Sequence, residues 1–102
     1  MQSKEDYLKS LPKKRCGSGA IILNEEGKIM MLKTTYRDFY EIPGGAVEKD
    51  ESPIECCVRE IKEEIGLDLK IEKLLVLEYQ KQEFDDCFMF LFDGGVLSNA
   101  QI

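Results

Sequence analysis

The chain contains no histidine, which removes the commonest protein metal ligand and the commonest general base. Carboxylate, hydroxyl, backbone and water remain for chemistry. Positive charge is in deficit: 14 lysines and arginines against 20 aspartates and glutamates leave a formal net charge of −6. Binding along a nucleic-acid polymer rests on a basic surface, so no such partner is expected; a small phosphate ester neutralised by a cation fits better. No apolar run approaches the ~20 residues that a spanning helix needs, and no signal-peptide pattern is visible. The expectation is no membrane partner and a cytoplasmic location. Cysteine is present but without a C-x-x-C pair. Cys56 and Cys57 are adjacent on one helix and point in different directions, so zinc is not expected, and Cys16, Cys56, Cys57 and Cys87 read as reduced, small, partly buried residues. There is no repeat, low-complexity tract or linker. With 43% hydrophobic residues, the 102-residue chain reads as one soluble domain spanning 1–102.

What the chain does have is a concentrated acidic motif. From Gly45 it reads Gly45-x5-Glu51-x7-Arg59-Glu60-Ile61-x-Glu63-Glu64-x-Gly66-Leu67. The segment around the glutamates has helical periodicity. At about 100° per residue, Glu64 lies roughly 40° from Glu60, and Glu63 roughly 60° on the other side. Like charges at that spacing destabilise a helix unless a cation or a basic neighbour offsets them. A solvated acidic face is the bland reading, but Gly44, Gly45, Glu51 and Arg59 in register with the glutamates favour a metal site. Pro43-Gly44-Gly45 ends an extended stretch and lets backbone approach a ligand closely. A carbonyl from that turn with two or three glutamates suits a hard cation such as Mg²⁺, which takes oxygen ligands and substrate phosphates.

These residues match the signature of the Nudix hydrolases, G-x5-E-x7-R-E-U-x-E-E-x-G-U with U aliphatic, at every fixed position, and the chain is identified as a member of that family. The resemblance implies an enzyme that hydrolyses a nucleoside diphosphate linked to another moiety, by attack of water on phosphorus, with Mg²⁺ or Mn²⁺. It implies Glu60 and Glu64 as principal metal ligands, Glu63 as an additional ligand or the base, and Gly44 as a carbonyl ligand. Gly45, Glu51, Arg59 and Gly66 would be structural, Glu51 and Arg59 forming an ion pair. The implied fold is α/β, an α/β/α sandwich around a mixed sheet, with the box as a loop–helix–loop over 44–67. The chain stops short of the strand and helix that commonly follow, so one sheet face is expected to be bare, and a homodimer covering it is expected. The alternative reading is an impaired or truncated Nudix domain that binds nucleotide or protein without turnover.

The remainder sorts by local pattern. Residues 1–15 read as a short capped helix and a basic link. Two apolar runs, 20–23 and 29–32, flank a turn containing Gly27 and read as a hairpin; their continuous apolarity implies strands covered on both faces, with helices on each side. Tyr36, Phe39 and Tyr40 offer a platform for stacking a base, core packing being the alternative. Ser52 as N-cap, Pro53 at the first helical position and Glu55 completing a capping box open the box helix, and Gly66 closes it. Ile54, Val58, Ile61 and Ile65 form its apolar face. Leu67, Leu69 and Ile71 alternate as a half-buried strand, and 74–79 and 87–92 are two further strands joined through 81–86.

Overall fold

The computed structural model describes residues 1–33, 35 and 40–101. In chain order the elements are α1 (Lys4–Ser10), β1 (Arg15–Leu23), β2 (Leu32–Lys33), β3 (Tyr40–Glu41), β4 (Gly44–Ala46), α2 (Pro53–Ile65), β5 (Leu74–Lys81) and β6 (Asp86–Val96). Four strands form a mixed sheet in the order β4-β1-β6-β5, with β1 parallel to β6 and the other pairs antiparallel. Strands β2 and β3 pair separately.

β1 is the central strand, buried from Gly17 to Ala20. Its paired neighbours place Ser18 beside Phe90 and Ala20 beside Phe92, and residues directly paired share a face. α2 packs on that face. The resulting core holds Ala20, Ile22, Cys57, Ile61, Ile71, Phe92 and Leu97, with Val58, Ile65, Leu67, Leu69 and Phe90 against it. The helix contact is rotated from the expected stripe: Ile54 is 39% exposed, while Cys57, one turn before Ile61, is completely buried. The small thiol side chain lets the first turns of α2 lie close to β1.

The caps of α2 follow from its sequence. The Ser52 hydroxyl accepts from the Glu55 amide at 3.1 Å, and the Glu55 carboxylate accepts from the Ser52 amide at 2.9 Å. Gly66 ends the helix at φ 75°, a left-handed conformation that glycine adopts without penalty.

Three expectations need correction. The expected hairpin keeps its turn, with Gly27 at φ 80° and the Asn24 amide donating to the Lys28 carbonyl at 2.9 Å, but beyond it only the bridge between Leu23 and Ile29 and the bond from the Met30 amide to the Ile22 carbonyl at 2.8 Å remain. One edge of β1 is taken by β6 along its length and the other by β4 from Gly17 to Gly19, so the second run has only the end of β1 to pair with and diverges. Leu67, Leu69 and Ile71 alternate in burial as expected, but they form no ladder and are an extended segment lining the core. Helices do not flank both sheet faces among the described residues: α1 buries no residue and makes no contact with another element. No helix among them is long and apolar enough to cross a membrane.

Candidate active site

The site lies where β4 passes over α2. Gly19 pairs with Gly44 and Ser18 with Gly45 across the strands, so the turn sits close to its neighbours. A β-carbon on Gly44 would stand 2.3 Å from the Ser18 carbonyl oxygen, and one on Gly45 would stand 2.4 Å from Glu60 Oε1. The missing side chain at Gly45 is therefore the space that the Glu60 carboxylate occupies.

Glu64 comes up beside it. Its Oε2 accepts from the Gly44 amide at 3.1 Å, fixing the carboxylate under the turn. Although the residue is open to solvent on one side, burial pushes the Glu64 carboxyl up to about 7, opposed by the Gly44 amide and reinforced by the charge of Glu60, a hydrogen bond with Glu60 and the charge of Glu41. Two carboxylates thus face each other, and their repulsion adds to what favours the protonated form of Glu64. A divalent cation in that place removes the repulsion directly, and a pair of carboxylates leaving room for water and phosphate oxygens is the donor set Mg²⁺ favours. The residues present fit the ion.

Arg59 organises the N-terminal flank. Its Nε donates to Glu51 Oε2 at 2.7 Å and its Nη2 to Glu51 Oε1 at 3.0 Å, a bidentate pair. Nη1 reaches Glu60 Oε1 at 2.9 Å and Glu63 Oε1 at 3.3 Å, while Nη2 also donates to the Ala46 carbonyl at 3.3 Å. The Glu51 carboxyl is held down at about 2, chiefly by Arg59 and next by the Glu48 amide. Arg59 itself is raised by the same bonds.

The expected residues fall into groups. Glu60 and Glu64 come together beneath Gly44 and Gly45. Glu63 turns to Arg59 and is 57% exposed, so the three carboxylates do not converge; the described residues contain no group of three or more acidic or cysteine side chains spaced to hold one metal ion. Gly66 shapes the end of α2. Tyr40 is 61% exposed, and Tyr36 and Phe39 lie outside the described residues. Cys56 sits behind the turn, its thiol donating to the Ala46 carbonyl at 3.4 Å; burial pushes it up to about 12 and Cys57 up to about 11, so neither is a nucleophile at neutral pH. All four cysteines are free.

Two contributors escaped the sequence reading. Glu41, in β3, is near enough for its charge to raise Glu64. Ser18 is completely buried, and its hydroxyl donates to the Pro53 carbonyl at 2.6 Å, tying β1 to the first turn of α2. The Gly17-Ser18-Gly19 run was the available signal, since glycine inside a strand marks close backbone approach.

The model of the NUDIX domain matches residues 13–99. The chain belongs to the NUDIX family. Over 70 residues this Nudix chain is 44% identical to mRNA-decapping enzyme subunit 2 of Saccharomyces cerevisiae (strain YJM789), a match covering 68% of this chain and 7% of that protein. Over 80 residues it is 36% identical to a putative 8-oxo-dGTP diphosphatase of Bacillus subtilis (strain 168), covering 78% of this chain and 52% of the other. The chain thus spans under two thirds of either relative. Among solved structures, the MutT protein from Methanosarcina mazei Go1 superposes with a TM-score of 0.73 at 28% identity, over 86% of this chain and 68% of that one.

Proposed function

We propose that this Nudix domain hydrolyses a phosphoric anhydride bond in a nucleoside diphosphate linked to another moiety, with a divalent cation, Mg²⁺ or Mn²⁺, held by Glu60 and Glu64. The observation that carries the proposal is the Glu60 carboxylate seated in the space left by Gly45, facing a Glu64 carboxylate fixed by the Gly44 amide. When bound, the cation supplies a water of lowered pKa and neutralises charge on the phosphoryl oxygens. Arg59 holds Glu60 in place through Nη1 and is itself held by Glu51. Glu63, the most exposed of the three box glutamates bonded to Arg59, is the group in this arrangement open to take a proton from water as general base. The Gly44 carbonyl is assigned as the further oxygen ligand from the family motif.

The net charge of −6 favours a free nucleotide over a polymer. One relative is named for mRNA and another for a nucleotide, so the test uses both classes. Release of phosphate or nucleoside monophosphate is measured on nucleoside triphosphates, sugar nucleotides, dinucleoside polyphosphates and capped RNA, with and without Mg²⁺ or Mn²⁺, beside Glu64→Gln. Turnover that needs the metal and vanishes in the variant is expected; no turnover on any compound, with metal still bound, would replace hydrolysis by binding alone. Location is read as cytoplasmic. A homodimer remains part of the proposal on the strength of Leu75, Leu77, Tyr79 and Phe84, apolar and exposed; sedimentation as a monomer would remove it.

A further inference from the structure

An apolar cavity of about 240 Å³ opens between the end of α2 and β2, lined by Met30, Met31, Leu32, Ile65, Leu67 and Gln101. Its floor belongs to the core, because Met30, Ile65 and Leu67 pack against the buried cluster; its rim includes Met31, which is 45% exposed. Two of the lining residues neighbour the carboxylates of the site. Ile65 follows Glu64 in the helix, and Leu32 pairs with Glu41, whose charge reaches Glu64. A ligand whose phosphates lie at Glu60 and Glu64 therefore has an apolar slot beside it.

We infer that this cavity receives the heterocyclic base of the nucleotide, an inference resting on the hydrolase reading for the placement of the phosphates. Methionine side chains adapt to a flat ring and make favourable sulfur–aromatic contacts, and the aliphatic walls cover the ring faces. Gln101 is oriented by its neighbours: its Oε1 accepts from the Ser98 amide at 2.9 Å and from the Ser98 hydroxyl at 3.1 Å. That leaves its amide hydrogens to donate to an acceptor on the base edge. Apolar faces and one donor recognise a base by shape, so discrimination between bases is weak, and the aromatic platform expected around Tyr36, Phe39 and Tyr40 is not needed to hold the ring.

The four methionines provide the test. Methyl NMR of the protein in Mg²⁺ is recorded during titration with α,β-methylene adenosine diphosphate and, separately, with methylenediphosphonate, neither of which needs turnover. Met30 and Met31 methyl signals should shift with the nucleotide and not with the base-free probe, while Met1 and Met89 stay still. Met31→Gln, neutral and similar in volume, should weaken nucleotide binding by roughly 2- to 10-fold through loss of sulfur and apolar contact and leave methylenediphosphonate binding unchanged. Equal shifts with both probes, no shift at all, or a response at Met89, which lies against Gly17 on the opposite sheet face, would overturn the inference. Shifts at Met30 and Met31 in a protein without turnover would keep the base site and reject the hydrolase reading.

Discussion

The two flanks of α2 treat the same side chain in opposite ways. On the N-terminal flank Glu51 meets a bidentate arginine and a backbone amide, and its carboxyl is held down at about 2. Toward the C-terminal half Glu64 has one amide donor and faces Glu60, and desolvation of its carboxyl under the turn pushes it up to about 7. Arg59 separates the two environments, spending its donors on Glu51, Glu60, Glu63 and the Ala46 carbonyl and making no bond to Glu64. Charge is balanced where the helix is anchored and left unbalanced where the turn closes over it. The unbalanced end is where a cation would offset the repulsion, as the proposed function requires.

The most severe way to break this contrast is Glu64→Gln, with Glu60→Gln beside it. Either should reduce metal-dependent turnover by roughly 10²–10⁴-fold, measured as kcat/KM on the best substrate of the panel. In metal-free protein the change runs the other way: Glu64→Gln removes a repelling carboxylate, and its thermal midpoint at pH 7 should equal or exceed that of the parent. Full activity in either variant would remove these two residues from the metal site. Gly45→Ala acts on the same place without touching a charge. The added carbon would lie 2.4 Å from Glu60 Oε1, and because a displacement of about 1 Å can cost on the order of 10²-fold, activity should fall by about that amount with the circular dichroism spectrum retained.

The contrast can also be sharpened by pH. Glu51 has a folded pKa below its ordinary value of 4.5, so the stability it contributes is present above that value and is lost as pH falls toward about 2. Glu64 has a folded pKa above its ordinary value of 4.5, so its contribution is greatest below that value and is lost as pH rises through about 7. Denaturant unfolding of metal-free protein should show both limbs. Glu51→Gln should flatten the acidic one and Glu64→Gln the neutral one; a divalent cation should also abolish the neutral limb. A Glu64→Gln curve that still falls between pH 4.5 and 7 would show that another group is responsible.

Much of this was legible in the sequence because it is local. Ser52, Pro53, Glu55 and Gly66 fix the ends of α2, and helical geometry alone puts Glu60 and Glu64 on one side. The ion pair of Glu51 with Arg59 joins residues only one loop and two turns apart. What escaped the sequence depends on neighbours distant in the chain. Strand β2 could not be placed without knowing that β4 and β6 already occupy the edges of β1. Glu63 shares the helix face on the wheel, but its carboxylate follows Arg59, which wheel angles do not encode. Glu41 reaches Glu64 only because β3 lies alongside β2 near the end of the helix. Alternation at Leu67, Leu69 and Ile71 reported burial correctly and pairing wrongly, since extended backbone can line a core without joining a sheet.

The smallest effect isolates the anchored flank. Ser18 is fully buried, and its hydroxyl donates to the Pro53 carbonyl at 2.6 Å. Ser18→Ala removes the donor to the Pro53 carbonyl, which keeps its helical acceptor role in the first turn of α2, together with a weak thiol bond from the buried Cys57. The loss should therefore be chiefly that of one hydrogen bond, about 0.5–1.5 kcal/mol, read as a drop in the thermal midpoint of about 4–8 °C for each kcal/mol. Glu60 and Glu64 are positioned by Arg59 and the Gly44 amide rather than by this bond, so metal affinity should be unchanged. A variant that folds with the expected loss but binds Mn²⁺ much more weakly would show that the anchored and unbalanced flanks are coupled through the first turn of α2, and that the contrast between them is a property of the whole helix.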